Sequence, residues 1–265
     1  MRKENSDGMN ILFTLCGRAG SKGVRGKNVR DFNGVPLAWL SLAVMSLYKE
    51  RFLKEEDTVR VVVNTDSDIL ISIAESAKDI PVSVIRREEN LSGDRVPKVA
   101  VIMDCLKRME AMYHETYDVL IDLDITSPLR TVEDVKNAVE TLLADPNMDA
   151  VLSVTPSRRN PMFNIVALRD GYQHRAIETD FIARQQAPEY FDVNASIYAY
   201  RPSSLKTRDP VTFFDDHTGI SVMFDTGVLD IDSEDDYEMM QVIAGYLYEA
   251  KPEFREIYKK AESWK

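Results

Sequence analysis

The stretch that decides the fold is NILFTLCGRAGSKGVRGKNVRDFNGVPLAWLSLAVMSLYKE, residues 10–50. It begins with a short apolar run, continues through a loop of glycines and basic residues, and ends in an apolar segment long enough for a helix. A strand, a loop and a helix in this order form the first half of a βαβ unit. The opening of the chain therefore predicts an α/β fold.

The same alternation of short apolar runs and amphipathic segments continues along the chain. It predicts strands at 58–65, 82–85, 117–125, 149–154, 191–201, 219–225 and 226–232, and helices at 69–77, 96–112, 131–145 and 233–250. The run at 117–125 is apolar almost throughout, which is typical of a parallel strand covered on both faces. Thr131 stands where it can cap the helix that follows. The pattern predicts a doubly wound, mostly parallel sheet.

The alternation weakens between residues 156 and 190 and returns afterwards. We interpret 156–190 as an inserted subdomain, and 9–155 together with 191–265 as one α/β domain. Residues 1–8 are expected to form a disordered tail.

Composition excludes several classes of protein. The chain has 265 residues, with 33 Lys and Arg against 44 Asp and Glu, which gives a net charge of −11. An acidic surface does not neutralise a nucleic-acid backbone, so we expect no nucleic-acid partner. No apolar run approaches the ~20 residues that cross a membrane, and the first residues lack the apolar core of a signal peptide. Cys16 and Cys105 lie far apart in sequence, which argues against a disulfide framework and for a cytoplasmic location.

The loop after the first strand concentrates groups that bind anions. Three glycines let backbone N–H groups turn inward, and four cations lie among them: Gly17, Gly20 and Gly23, with Arg18, Lys22, Arg25 and Lys27. The loop matches neither GxGxxG nor GxxxxGK[ST], so the common dinucleotide and P-loop motifs are absent. It predicts a local phosphate site at the carboxyl end of a strand, where open α/β sheets bind ligands. A solvated basic turn would present the same residues.

Five segments in order resemble one enzyme family. They are RAGSKGVRGKNVRDFNGVPL (18–37), ENLSGD (89–94), TSPLR (126–130), ARQQAPEYFDVNASIYAY (183–200) and DIDSEDDYE (230–238). Together they resemble the acylneuraminate cytidylyltransferases, over roughly residues 10–245. The resemblance implies the nucleotide-diphospho-sugar transferase fold, with 156–190 as a dimerisation insert that reaches over the partner's active site in a homodimer. It also implies transfer of CMP from CTP to a nine-carbon 2-keto sugar acid, with release of pyrophosphate.

The resemblance implies roles for residues on the nucleotide side. Arg18 and Lys27 match phosphate-binding positions, which suits a reaction driven by positioning and charge neutralisation. Further candidates for nucleotide binding are Ser21, Lys22 and Asn28 in the same loop, and Arg87 and Asp94 at the base and ribose. For Asn28 a role as scaffold of the loop competes with direct contact.

Asp230 and Asp232 match the metal-binding aspartates of the family. Residues two apart in a strand share a face, so both carboxylates can converge on one Mg²⁺, which usually takes only one or two protein carboxylates. The competing interpretation is that Asp232 caps the helix that begins next.

On the acceptor side, the chain departs from the sialic-acid pattern. It reads LDITSPLR where those enzymes typically read LQPTSPLR, so Asp124 stands in place of a glutamine. An ionised carboxylate accepts hydrogen bonds but cannot donate them, which favours an acceptor that presents an N–H group. Asp124 could instead bind a second magnesium ion. LSGDRVPK and SVTPSRRNPMFNIV resemble the legionaminate-type branch, and further candidates for binding the sugar are Arg159, Arg184, Gln185 and Asn194. Solvation explains Arg159 equally well.

Three alternative functions remain open at this point. The chain could activate another 2-keto sugar acid such as the eight-carbon Kdo, act as another sugar nucleotidyltransferase on this fold, or regulate through nucleotide binding without catalysis. The presence of Arg18, Lys27, Asp230 and Asp232 together argues against an inactive regulator. The three histidines show no ligand spacing, so neither a zinc site nor a catalytic triad is predicted.

Overall fold

The protein is described by a computed structural model that covers residues 8–20, 23–93, 95–211, 213–214, 217–224 and 230–265. Strands are β1 (Asn10–Cys16), β2 (Asp31–Phe32), β3 (Val35–Pro36), β4 (Thr58–Thr65), β5 (Ser83–Arg86), β6 (Val119–Leu123), β7 (Ala150–Pro156), β8 (Val166–Arg169), β9 (Tyr172–Arg175), β10 (Phe191–Tyr200) and β11 (Thr218–Val222). Helices are α1 (Leu37–Phe52), α2 (Asp68–Glu75), α3 (Lys98–Tyr113), α4 (Val132–Ala144), α5 (Pro202–Leu205), α6 (Glu234–Ala250) and α7 (Pro252–Glu262).

In the described part of the chain, seven strands form one sheet in the order β11-β7-β10-β6-β1-β4-β5. Only β10 runs antiparallel to its neighbours within it. Ile11, Phe13 and Leu15 of β1 pack into one hydrophobic core, whereas Leu12 packs into a second core on the other face. The strand is therefore apolar on both faces because helices cover the sheet on both sides. The prediction of a doubly wound, mostly parallel α/β fold is confirmed.

The strand order places the ligand crevice beside β1. The chain leaves β1 through α1 and returns at β4 on one side, whereas β6, reached through α3, lies on the other side. The loops after β1 and β6 consequently separate at a topological switch point, where open α/β sheets bind ligands. None of the helices in the described ranges is long and apolar enough to span a lipid bilayer.

Two sequence predictions about local structure can be compared with these elements. Thr131 caps α4 in a reciprocal capping box with Asp134, as predicted. The prediction of a late strand at 226–232 is wrong for residues 230–232, which lie in no strand. The remaining residues of that prediction, 226–229, lie outside the described residues. The small β2–β3 hairpin and α7 were not predicted. The α7 helix begins at Pro252 and buries Phe254, Ile257 and Ala261 at helical spacing.

Residues between β7 and β10 make an excursion from the central sheet. They contain the β8–β9 hairpin, which pairs only with itself and turns through Asp170 and Gly171, both with positive φ. Asp-Gly at such a turn is typical of a two-residue hairpin loop, whose backbone requires left-handed conformations. The domain boundaries at 156 and 190 remain a prediction.

Candidate functional site

A cavity of about 430 Å³ lies beside the carboxyl ends of β1 and β6. It is lined by seven of the residues predicted for the site: Arg18, Lys27, Asn28, Arg87, Asp124, Asp230 and Asp232. These residues come from four distant parts of the sequence, and the sheet brings their loops to one edge. Ser21, Lys22 and Asp94 lie outside the described residues.

The loop after β1 is held against the segment that carries the two aspartates. Lys27 Nζ donates a hydrogen bond to the backbone oxygen of Ile231 at 2.7 Å and lies 3.3 Å from Asp232 Oδ1. A Cβ atom built on Gly23 would lie 2.1 Å from the backbone oxygen of Asp232, so no other residue fits there without movement. The loop and the Asp230–Asp232 segment therefore form one rigid wall of the cavity.

Asn28 supports this loop from inside the protein. It is buried, and its Nδ2 donates to the backbone oxygen of Arg18 at 3.1 Å. This hydrogen bond favours the scaffold interpretation of Asn28, although the side chain also lines the cavity.

Asp230 and Asp232 both line the cavity, while Ile231 between them is fully buried in the core. The alternation that the sequence predicted for a strand is thus present outside any strand. Ser233 caps α6, in a reciprocal box with Asp236. The competing interpretation of Asp232 as the helix cap is therefore wrong.

Arg87 lines the cavity beside the start of the β1 loop, since Arg87 and the backbone N–H of Gly17 donate to the same oxygen of Asn64. Its Nε donates to Asn64 Oδ1 at 2.7 Å and its Nη2 to the backbone oxygen of Asn64 at 2.9 Å. Leu91 and Val96, from the segment that follows Arg87, add apolar surface to the lining. The cavity thus combines charged groups with apolar surface, which suits a ligand that has both a charged and a less polar part.

A family model described as Cytidylyltransferase matches residues 15–245 of this chain. The chain belongs to the cytidylyltransferase family. It is 34% identical to post-translational flagellin modification protein B of Campylobacter coli, over 88% of this chain and 94% of that protein. It is 36% identical to CMP-N,N'-diacetyllegionaminic acid synthase of Campylobacter jejuni, over 88% of this chain and 94% of that protein.

A solved structure shares the fold. CMP:2-keto-3-deoxy-manno-octonic acid synthetase in complex with CTP superposes with a TM-score of 0.58 at 15% identity, covering 89% of this chain and 99% of that chain. The family predicted from the five sequence segments and the fold predicted from it are confirmed.

In this cytidylyltransferase, Asp124 belongs to a cluster of charges whose other members, Lys98 and Asp122, the sequence analysis did not predict. Lys98 Nζ lies 2.7 Å from Asp122 Oδ2 and 2.5 Å from Asp124 Oδ2, and Thr14 donates to Asp122 Oδ1 at 2.6 Å. Asp124 Oδ1 accepts from the N–H and the hydroxyl of Thr126, both at 2.9 Å. Burial opposes ionisation of Asp124, but Lys98 and Thr126 outweigh it and hold the pKa at about 2. Asp124 is therefore an ionised carboxylate whose two oxygens both have partners.

A second buried cation, Arg130, supports the same edge. It is 1% exposed, and its Nη2 donates to the backbone oxygens of Asp124 and Ser127. Burial lowers the pKa of Arg130 to about 10, against the raising effect of nearby carboxylates that include Asp124 and Asp230. Arg130 is therefore still charged at neutral pH and offsets the negative charge of the cavity.

Asp230 and Asp232 fit a divalent cation that is shared with a bound phosphate. Burial raises the pKa of Asp230, and the negative charge of Asp124 raises it further. A cation at this edge would relieve that repulsion, and Mg²⁺ usually completes its shell with phosphate and water. Within the described residues, no group of three or more His, Cys, Asp and Glu surrounds a common metal position. A closed, all-protein metal site is thus not what these residues form.

The structure does not bring Arg159, Gln185 or Asn194 to this cavity. Arg159 lines a separate cavity of about 290 Å³, Gln185 is exposed on the insert, and only the backbone of Arg184 is described. Asn194 is 2% exposed and its Oδ1 accepts from Ser153 Oγ at 2.5 Å. Its hydrogen bonds stabilise a bulge of β10, where the strand register shifts.

Sequence signals existed for part of what was missed. Asp122 is an acidic residue inside an otherwise apolar strand, and a buried carboxylate requires a cation or donors. The identity of that cation, Lys98, depends on how α3 packs against the sheet.

Cys16 also lines the cavity, and both cysteines are free thiols. A hydrogen bond with Cys105 is the largest cause, and burial the second, of a pKa of Cys16 that lies well above its usual value. The thiol therefore stays protonated at neutral pH.

We predict that Gly23→Ala weakens CTP binding, because the new Cβ forces the phosphate loop away from Asp232. The loss should be about 1.5–3 kcal/mol, the range for a hydrogen bond to a charged group. Gly20→Ala is the matched control, since nothing lies within 4 Å of a Cβ at that position. Isothermal titration calorimetry with CTP measures both variants. Equal affinities in the two variants would contradict a rigid wall formed by the loop and the aspartate segment.

We predict that Asp230→Asn raises the melting temperature of the ligand-free protein at pH 7. The amide removes a half-buried negative charge that Asp124 repels. The pKa of Asp230 is higher in the folded state than in the unfolded state. The rise in melting temperature is therefore complete above the folded-state pKa and disappears as pH falls below the ordinary pKa of an Asp side chain. Asp232→Asn is the control, since its side chain is 79% exposed. Thermal melts from pH 3.5 to 8 provide the measurement, and a lower melting temperature for Asp230→Asn at pH 7 would contradict the electrostatic argument.

Proposed function

We propose that this chain transfers CMP from CTP to the anomeric hydroxyl of a nine-carbon 2-keto sugar acid of the legionaminic or sialic acid type, and releases pyrophosphate. One observation carries the proposal: a single cavity gathers Arg18, Lys27, Asp230 and Asp232 in a chain of the cytidylyltransferase family. Relatives named for flagellin modification and for CMP-N,N'-diacetyllegionaminic acid synthesis match over most of the chain and support this acceptor class.

The reaction requires positioning and neutralisation of charge. The anomeric oxygen attacks the α-phosphorus in line, the bond to the β-phosphate breaks, and its electron pair leaves with pyrophosphate. Arg18 and Lys27 supply cations for the triphosphate, and the part of the cavity beside Arg87 accommodates the nucleoside. The fixed wall between Gly23 and Asp232 keeps these groups in register, which contributes to the barrier lowering that oriented reactants provide.

We infer that Asp230 and Asp232 hold Mg²⁺ together with the triphosphate. When bound, the ion neutralises phosphate charge and stabilises the charge that develops on pyrophosphate. Lys27, which lies beside Asp232, limits the repulsion between that carboxylate and a phosphate.

Asp124 supports an acceptor of the N,N'-diacetyllegionaminic type. Its carboxylate is ionised and already accepts hydrogen bonds from Lys98 and Thr126, so it offers acceptor oxygens and no donor. N,N'-diacetyllegionaminic acid presents two acetamido N–H groups where N-acetylneuraminic acid presents one, so it offers this carboxylate an additional donor. A second magnesium ion at Asp124 is the less favoured role, because Lys98 already neutralises it.

We also infer a homodimer in which the insert completes the partner's site. The insert and its flank expose large apolar side chains: Val166, Leu168, Tyr172, Ile182 and Val193, with Leu168 79% and Ile182 93% exposed. Exposed apolar surface of this kind marks interaction sites. Arg159 and Gln185 lie away from the cavity that contains Arg18 and Lys27 of the same chain, which leaves them available to a neighbouring copy.

With free thiols and CTP as co-substrate, we infer a cytoplasmic location.

The proposed reaction predicts pyrophosphate release from CTP and magnesium with N,N'-diacetyllegionaminic acid. We expect kcat/KM to exceed that for N-acetylneuraminic acid by roughly five- to 150-fold, because an unpaired buried partner costs ~1–3 kcal/mol. UTP in place of CTP and Kdo in place of the nonulosonic acids are the controls. Turnover with Kdo but with neither nonulosonic acid would show that the acceptor is an eight-carbon acid. No turnover with any of these 2-keto acids would contradict the proposed transfer of CMP.

The inferred dimer predicts that Leu168→Asp yields a monomer with lower turnover. Light scattering coupled to size-exclusion chromatography measures the mass, and pyrophosphate release measures the activity. Val242→Asp on α6 is the matched control, since Val242 is 75% exposed but lies far from the insert in sequence. A dimer that persists in Leu168→Asp would contradict the assigned interface.

A further inference from the structure

Lys98 combines burial with access to the cavity. Its ammonium group carries three N–H donors, and two carboxylates take part in ion pairs with it: Asp122 at 2.7 Å and Asp124 at 2.5 Å. The side chain keeps 33% exposure, the residue lines the cavity, and Nζ lies 5.2 Å from the centre of the Tyr198 ring. The two ion pairs leave one N–H without an assigned partner among the described residues, and we take this donor as available to a ligand because the partly exposed side chain lines the cavity.

The charge of Lys98 is permanent. Burial alone would lower its pKa, but Asp122 and Asp124 raise the pKa well above its usual value. Asp122 is fully buried and Thr14 occupies its other oxygen, so the ammonium cannot move away without leaving a buried carboxylate unpaired. Lys98 is therefore a preorganised cation, which is the kind of group that stabilises charge in a transition state at little reorganisation cost.

The position of Lys98 along the cavity indicates which part of the reactants it meets. It is the first residue of α3 and directly follows the segment with Arg87, Gly93 and Val96, to which we assign the nucleoside. Its ammonium contacts Asp124, which we assign to the acceptor. The atom that lies between nucleoside and acceptor during CMP transfer is the α-phosphorus.

We propose that Lys98 is a catalytic residue that donates a hydrogen bond to a non-bridging oxygen of the α-phosphoryl group in the transition state. The proposal rests on the proposed function, because it requires CMP transfer. Arg18 and Lys27 then bind the triphosphate, while Lys98 acts at the phosphorus under attack. Its contact with Asp124 also sets the distance between the acceptor and the phosphorus.

The test compares Lys98→Met, which removes the charge at similar length, with Lys98→Arg, which keeps the charge but moves the donors. For Lys98→Met we expect kcat to fall by roughly 10²- to 10³-fold, as for loss of one oxyanion donor. We expect the CTP dissociation constant to change far less than kcat, because the contact forms mainly in the transition state. Circular dichroism and thermal melts establish that each variant is folded.

A contact at the α-phosphoryl group has a signature that a merely structural role lacks. In the two diastereomers of CTPαS, sulfur replaces one or the other non-bridging oxygen and weakens a hydrogen bond there. We expect wild type to discriminate between the diastereomers, Lys98→Met to lose most of that discrimination, and Lys98→Arg to change it. If Lys98→Met does not fold, the diastereomer preference of Lys98→Arg provides the test: a changed preference supports the contact with the α-phosphoryl group, and an unchanged preference contradicts it.

Two results would overturn the proposal. A lower kcat with unchanged diastereomer preference in both variants would mean that Lys98 only holds Asp124. A CTP affinity that falls as much as kcat would assign Lys98 to ground-state nucleotide binding. Wild-type turnover with a nonulosonic acid separates these outcomes from failure of the proposed function, since an inactive wild type overturns both.

Discussion

Contact between the glycine-rich loop after β1 and the Asp230–Asp232 segment is the constraint on which the site depends. Lys27 and Ile231 are 204 positions apart in sequence, yet they share a hydrogen bond of 2.7 Å. The close approach is possible only because Gly23 has no side chain to occupy the space of the Asp232 backbone oxygen. The core holds this contact in place: Ile231 is fully buried, and its N–H donates to the backbone oxygen of Thr126 at 3.1 Å. One buried residue thus joins the phosphate loop, the aspartates and the loop after β6.

Balance of charge is the second organising feature of the site. The protein has a net charge of −11, so an anionic substrate is attracted only by local cations. Arg18 and Lys27 line the cavity where we assign the triphosphate. Lys98 forms ion pairs with two carboxylates, and Arg130 is a buried cation close to the same groups. Buried cations and carboxylates in this arrangement cost desolvation energy, which the fold offsets with hydrogen bonds such as those from Thr14 and Thr126.

Replacing a buried ion cluster with apolar residues is often neutral or stabilising, so we attribute the stability of the fold to the apolar cores on the two faces of the sheet. Asp230 remains close to Asp124 although the two charges repel each other. Such local strain is expected where a protein prepares a place for a cation and a phosphate before they bind. At the surface, the exposed apolar side chains between β7 and β10 support the assembly that we infer.

The sequence by itself determined the α/β class, the cap at Thr131 and the family, and it singled out seven residues that line one cavity, because these depend on local periodicity and on motifs with fixed spacing. It could not determine the partners of buried charges. Lys98 and Asp122 are 24 positions apart and meet only because α3 packs on the sheet, and Arg130 reaches backbone oxygens whose positions depend on the turn after β6. Asn194 could be taken for a substrate ligand until the register of β10 showed a bulge that uses its hydrogen bonds. Tertiary structure decided these points because long-range packing, not local sequence, sets which polar groups lose water together.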